Sequence, residues 1–184
     1  MPRKIVFTKE QIIDAAFAIA DNEGFEHLSA RKLASALSSS VAPIYVNFVD
    51  FEDLKKHVVD KINRVALKLA VESQSGNPLK DIGAASIRFA FQHPKLFQDY
   101  IFGKFAFEQN DEMNEYVMKS IKEDRELSSL SETEITEYLE KIRIYQIGLS
   151  IMASNKSSNT YTESDLIRML DDMSLDVIYS IKHR

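Results

Sequence analysis

The sequence predicts an all-α protein in two parts, a three-helix helix-turn-helix domain at residues 1–49 and a larger helical domain at residues 50–184. Apolar residues recur three or four positions apart along most of the chain, and no stretch shows the alternation typical of strands. At several points serine or threonine is followed three residues later by a side chain that can complete a helix-capping box. A chain of 184 residues also exceeds one average domain.

The first predicted helix begins at Thr8, which forms a capping-box pattern with Gln11, and it ends at Gly24. Its apolar residues have helical spacing and are interpreted as core without chemistry of its own. They are Ile12, Ile13, Ala16, Phe17, Ile19 and Ala20. This helix is expected to hold the next two in place.

Residues 29–48 carry two short helical patterns separated by a polar break, which is the pattern of a helix-turn-helix. Ser29 is a candidate N-cap for the first of them. Its apolar residues share one face and are Leu33, Ala34 and Leu37. The serine run at 38–40 ends this helix, because neighbouring hydroxyl groups compete for backbone hydrogen bonds.

Ser40 is the expected N-cap of the second helix, and Pro43 falls in its first turn, where a missing N–H costs no hydrogen bond. Ile44 and Phe48 are predicted to point inward. The remaining residues point outward or sideways and are Val41, Ala42, Tyr45, Val46 and Asn47. Such a face fits the major groove of DNA, where alkyl groups meet thymine methyls and asparagine pairs with adenine. An ordinary helical hairpin has the same spacing, so that alternative stays open.

Residues 5–64 resemble the DNA-binding domain of the TetR family of bacterial transcriptional regulators. The resemblance is carried by Ile12, Ala15, Ala16, Gly24, Phe25, Ser29, Arg31, Leu33, Ala34, Ile44, Tyr45, Phe48 and Leu54. The chain differs from the family in the serine turn at 38–40, in Asn47 where histidine is common, and in Phe51 where a phosphate-contacting lysine is usual. The residues expected at double-stranded operator DNA are Ser29, Arg31, Ser40, Val41, Ala42, Pro43, Tyr45, Asn47 and Lys55.

A fourth helix, capped by Asp50, is predicted to continue through residues 50–72 and to belong to both domains. A helix shared in this way can transmit a shift, since it moves as one piece. The segment Gly76-Asn77-Pro78 and then His93-Pro94 interrupt the helical pattern that follows.

Aromatic residues are dense between positions 89 and 107, where six of the eleven phenylalanines lie. Plain hydrophobic core is one interpretation of this density. The resemblance implies the other, a cavity for a small apolar or amphipathic effector. The residues expected to line it are Phe89, Phe97, Tyr100, Ile101 and Phe105, with Phe97, Ile101 and Phe105 on one helical face.

Capping boxes at Ser131 and Thr162 open two C-terminal helices with apolar residues on more than one stripe. One stripe suffices to cover the larger domain, here called the body. The second stripe is therefore expected to form a homodimer through residues 131–154 and 162–182. In the last helix the first stripe contains Leu166, Leu170, Met173 and Val177, and the second Ile167, Ile178 and Ile181.

The net charge of -5 lies entirely in the body, since residues 1–64 hold nine basic and nine acidic side chains. This neutral N-terminal part, here called the head, offers few phosphate contacts. Arg3, Lys4, Arg31 and Lys32 could supply them, with Lys55 and Lys56 at a second edge, so two heads would have to bind together. The absence of cysteine excludes disulfides and thiolate chemistry. With no signal peptide or apolar span, the protein is expected to be cytoplasmic, without a membrane partner.

The four histidines are far apart in sequence and no glycine-rich phosphate loop exists, so neither an enzyme, a cofactor nor a metal is expected. The predicted function is a ligand-responsive transcriptional regulator, a repressor, that binds operator DNA as a homodimer. The alternative is a helical interaction module of the same fold that has lost operator binding.

Overall fold

The computed structural model describes residues 7–73, 75–103, 111–155 and 160–184, with the side chains of 111–114 left out. Helices and short turns make up these ranges, without strands, which confirms the all-α prediction. The α-helices are α1 Lys9–Glu23, α2 Ala30–Ala36, α3 Ala42–Asn47, α4 Phe51–Glu72, α5 Pro78–Gln92, α6 Pro94–Ile101, α7 Asp111–Glu123, α8 Glu132–Ser154 and α9 Glu163–Lys182. Two 3-10 helices, Phe25–His27 and Leu127–Ser129, join them.

Helices α1, α4, α8 and α9 begin where the capping patterns predict. The Thr8 hydroxyl accepts a hydrogen bond from the Gln11 N–H at 3.2 Å, and the Gln11 side chain accepts one from the Thr8 N–H at 2.9 Å. The same reciprocal boxes open α8 and α9 at Ser131 and Thr162, and Asp50 caps α4. Each cap satisfies backbone donors that the helix itself cannot pair, so sequence fixes these starts locally.

The turn between α2 and α3 is closed by the backbone of the serine run. Ser38 has φ +50°, the left-handed conformation in which a residue with a Cβ atom is strained. The Ser39 N–H donates to the Ala34 carbonyl and the Ser38 N–H to the Ser35 carbonyl, which is a Schellman ending. The expected N-cap is corrected by one residue: Val41 precedes α3, and the Ser40 hydroxyl accepts from the Ala42 N–H at 3.4 Å.

Helix α5 lies at the centre and packs against α4, α8 and α9. Small residues line its buried face, and the closest approach is at Gly83, where an added Cβ atom would lie 2.6 Å from Leu170 Cδ2. One buried cluster runs without a break from α1 residues such as Ile12 through Leu96 to Leu166 in α9. The predicted head therefore shares its core with the body.

The chain leaves the helical conformation directly after α6. This helix ends at Ile101, and Gly103 has φ +69°, which favours glycine. Of the predicted face of Phe97, Ile101 and Phe105, the first two residues lie on α6, and Phe105 lies outside the described residues. In the described ranges, none of the helices combines the length and apolar character needed to cross a membrane.

Candidate functional site

Helix α3 is anchored by one fully buried side chain and exposes most of the others. Ile44 is completely buried, and Phe48, the buried residue that follows the last turn of the helix, is its C-cap. Tyr45 is 52% exposed, Val46 83% and Val49, just after the helix, 90%. Large apolar side chains left in water beside each other mark a surface that binds something.

The predicted groove-facing residues do not all project from this face. Val41, Ala42 and Tyr45 are exposed, but Pro43 is half-buried. Asn47 is also half-buried, and its amide nitrogen donates to the Pro43 carbonyl at 2.8 Å and to the Phe7 carbonyl at 3.4 Å. Asn47 thus ties the end of α3 to the start of the chain.

Two of the predicted polar contacts are already engaged within the protein. The Ser29 hydroxyl accepts from the Lys32 N–H at 3.3 Å as the N-cap of α2. Lys55 Nζ lies 2.8 Å from Glu52 Oε1 and over the Phe51 ring, 5.7 Å from its centroid.

The cations that remain available near α3 differ from the predicted set. Arg31 is exposed, and so is Lys56, and neither has an ion-pair partner in the described part of the chain. Val46 and Val49 were not among the predicted site residues, and Lys56 was considered only together with Lys55 as a phosphate contact. The outward phase of α3 indicated Val46, whereas the choice between Lys55 and Lys56 depends on the Glu52 contact, which sequence spacing alone left open.

A cavity of about 750 Å³ lies in the body between α4, α5, α7, α8 and α9. Its wall is partly aliphatic, with side chains such as Leu79, Ile82, Leu139 and Leu170. This volume falls in the range that small-molecule sites commonly have.

Most of the residues predicted for the ligand site do not line this cavity. Phe89 and Phe97 are buried in the main core, and Ile101 packs against the same cluster. Of the four predicted side chains that are described, Tyr100 alone belongs to the wall. The density of aromatic residues in the sequence could not distinguish core from cavity. The difference is whether each ring packs against other side chains or faces open space, and that depends on distant parts of the chain.

The polar groups of the wall fall into a paired set and an unpaired set. In the paired set, Tyr138 Oη lies 2.8 Å from Ser174 Oγ, and burial raises the pKa of the Tyr138 phenol. Lys80 Nζ lies 3.2 Å from Asp171 Oδ2. The wall side chains Asn63, Arg143 and Gln146 make no hydrogen bond or ion pair within the described ranges.

Helices α8 and α9 leave several large apolar side chains exposed, but not those predicted. Ile178 and Ile181 of the predicted second stripe are buried within the chain, against α7 and α8 residues such as Ile121 and Tyr138. Other side chains take the exposed positions: Ile144 is 74% exposed and Tyr179 65%. Ile151, Met152 and Leu175 are also exposed. A helical wheel of α9 alone could not show that α7 and the 3-10 helix Leu127–Ser129 cover Ile178 and Ile181.

No three histidine or acidic side chains converge within the described ranges in a way that could hold a metal ion.

No protein-family model matches the chain, and no curated protein matches it in sequence. Among solved structures, the chain is similar to a candidate transcription regulator from Streptomyces coelicor. The two share 17% sequence identity with a TM-score of 0.52, and the match covers 98% of this chain and 97% of that one. At this identity the similarity concerns the fold along its whole length.

Proposed function

We propose that the protein is a ligand-responsive transcriptional regulator. It is a homodimer, and each copy contacts operator DNA through α2 and α3. The observation that carries this proposal is the exposed face of α3, where Tyr45 and Val46 project from a helix fixed by buried Ile44. Alkyl and aromatic side chains in this position can meet base edges, and Arg31 can meet a phosphate. The TetR-like residue pattern and the fold shared with a candidate regulator agree with this function.

Dimerisation supplies affinity that a single head lacks. Arg31 and Lys56 can provide only a few phosphate contacts in one copy. Two copies held at a fixed distance would double the number of these contacts. The apolar face of α8 and α9, which includes Ile144, Ile151 and Tyr179, is the surface for this contact. Pairing it about a two-fold axis gives a four-helix bundle, and two-fold symmetry matches two half-sites about 34 Å apart.

The cavity is the proposed effector site, and α6 connects it to the head. Tyr100 lines the cavity, while the preceding residue, Asp99, is 5% exposed and accepts a hydrogen bond from the Phe25 N–H at 2.5 Å. At the other end of α6, His93 Nδ1 lies 2.8 Å from Asp21 Oδ1 of α1. Both ends of this helix are therefore tied to the head.

Close packing makes this connection stiff. Gly24 has φ +107°, and a Cβ atom added there would lie 3.1 Å from Asp99 Oδ2. The 3-10 helix that begins at Phe25 leads directly into α2. A ligand that displaces Tyr100 would thus move Asp99 and, through Phe25, the orientation of the helix-turn-helix.

We expect Tyr45→Ala to weaken specific DNA binding by ~1–3 kcal/mol, because one good contact to a base edge is lost. The fold should stay intact, since Tyr45 is half in solvent. Fluorescence anisotropy with DNA flanking the protein's own coding sequence measures the effect. Met118→Ala, an exposed position on α7, is the control and should bind as the original protein does. Equal binding by Tyr45→Ala would remove Tyr45 from the interface.

The α6 connection predicts that a change in the cavity is felt at Phe25. Hydrogen exchange of the full chain is expected to show about tenfold faster exchange of the Phe25 amide in Tyr100→Ala, equivalent to ~1.4 kcal/mol. Leu79→Ala, a substitution in the cavity wall on α5 rather than α6, should leave that amide unchanged. Exchange in α9 reports any global loss of stability. Equal effects of the two substitutions on Phe25 would contradict the connection.

A second candidate function is a protein-interaction module. Val46 and Val49 are among the most exposed apolar side chains of the described residues, and an apolar surface with few cations also fits a protein partner. Salt dependence separates the two, because DNA binding falls steeply as salt rises whereas apolar protein contacts do not.

A further inference from the structure

We infer that the cavity takes an organic carboxylate with an apolar body, bound through Arg143. This inference rests on the proposed effector role of the cavity and assigns the chemical class of its ligand. The formal charges of the wall point the other way at first, since Asp124, Glu126 and Asp171 face two cations, Lys80 and Arg143. Which sign of ligand the cavity accepts depends on which of these groups already have partners.

The three carboxylates are engaged. Asp124 Oδ2 accepts from the Asn77 amide at 2.9 Å, and its Oδ1 accepts from the backbone N–H groups of Glu126 and Leu127 at 2.8 and 3.0 Å. Glu126 Oε2 lies 2.5 Å from Lys182 Nζ. These bonds engage both oxygens of Asp124 and one oxygen of Glu126.

Asp171 is held in the same way by Lys80. A cationic ligand at Asp171 or Glu126 would compete with Lys80 or Lys182, which already pair with these carboxylates. These two ion pairs work against a cationic ligand, whereas Asp124 is held by uncharged donors.

Arg143 is the charged group of the wall that has no partner within the described ranges. Its guanidinium donates in a planar fork that matches a carboxylate with two parallel hydrogen bonds. Gln146 lies one helical turn further along α8, so its amide can donate to the same polar end of a ligand, and the Asn63 amide also belongs to the wall.

The rest of the wall accepts the apolar body of the ligand. Leu79, Ile82, Leu139 and Leu170 are aliphatic, and burying alkyl groups against them removes apolar surface from water, which is favourable. An anionic head at Arg143 and an alkyl chain along these residues use both parts of the cavity at once.

Three probes of equal chain length test the assignment: decanoate, 1-decanol and decylamine, each titrated against the full chain by calorimetry. We expect decanoate to bind roughly tenfold to a hundredfold more tightly than 1-decanol, as a charge-assisted pair allows, and decylamine to bind most weakly. In Arg143→Gln the preference for decanoate over 1-decanol should fall to about twofold or less. Arg168→Gln removes an exposed arginine outside the cavity and should keep the preference.

Equal affinities for the three probes in the original protein, tightest binding of decylamine, or no binding of any probe would each overturn the inference. So would an unchanged preference in Arg143→Gln, an exposed position whose substitution leaves the fold in place. These titrations contain no DNA. A protein that selects decanoate through Arg143 but binds no operator would refute the proposed regulator and leave the carboxylate site standing. A protein that binds operator DNA without preferring decanoate would refute the carboxylate site and leave the regulator standing.

Discussion

Replacing Ile144 by glutamate is expected to convert the protein from a species of twice 21.0 kDa to one of 21.0 kDa. Ile144 is 74% exposed on the chain alone and lies on the apolar face of α8. In the proposed dimer it is buried, so a glutamate there would be an unpaired charge in an apolar contact. Such a charge costs ~3–5 kcal/mol, which raises the dissociation constant of the dimer at least about a hundredfold.

Sedimentation at micromolar concentration measures this change in mass. The matched control is Met118→Glu, which introduces the same charge at an exposed apolar position of α7 and should remain a dimer. A mass near 21.0 kDa for the unsubstituted protein would refute the dimer, and with it the gain in DNA affinity from two heads.

Replacing Ile44 by alanine is expected to lower the free energy of unfolding by ~2–5 kcal/mol. Ile44 is the one buried residue of α3 and is fully enclosed by the core that it shares with Leu33 and Leu54. Its loss leaves a cavity under a helix of only six residues, which has little stability of its own. DNA binding should be lost together with the orientation of α3.

Urea denaturation measures the stability change, and Val46→Ala on the same helix is the control. Val46 is 83% exposed, so its truncation should alter the free energy of unfolding by no more than about 0.5 kcal/mol. Val46→Ala is nevertheless expected to weaken specific DNA binding, because its side chain belongs to the proposed interface. If the two substitutions destabilise the protein equally, Ile44 is not the anchor of α3.

Helix positions could be predicted from sequence because the signals that set them are local. The capping residues at Thr8, Asp50, Ser131 and Thr162 act on backbone groups within three residues of themselves, so neighbours in sequence suffice. Ser40 was misplaced by one residue because the Schellman ending of α2, with Ser38 in the left-handed conformation, uses part of the turn.

Tertiary partners decided what sequence could not. Phe89 and Phe97 have the same composition and spacing whether they line a cavity or fill a core, and packing against α1 and α4 places them in the core. Ile178 and Ile181 are covered by contacts with α7 and the 3-10 helix, which no periodicity within α9 reveals. The bond from the Asn47 amide to the Phe7 carbonyl is likewise non-local, whereas its bond to the Pro43 carbonyl lies within α3.

Binding to the DNA that flanks the protein's own coding sequence tests the central claim most directly, measured by gel shift beside a random duplex of equal length at physiological salt. The proposed regulator should bind the flanking DNA roughly a thousandfold more tightly or better, in a complex that contains two copies of the chain. Equal affinity for the two duplexes, or a complex with one copy, would contradict it.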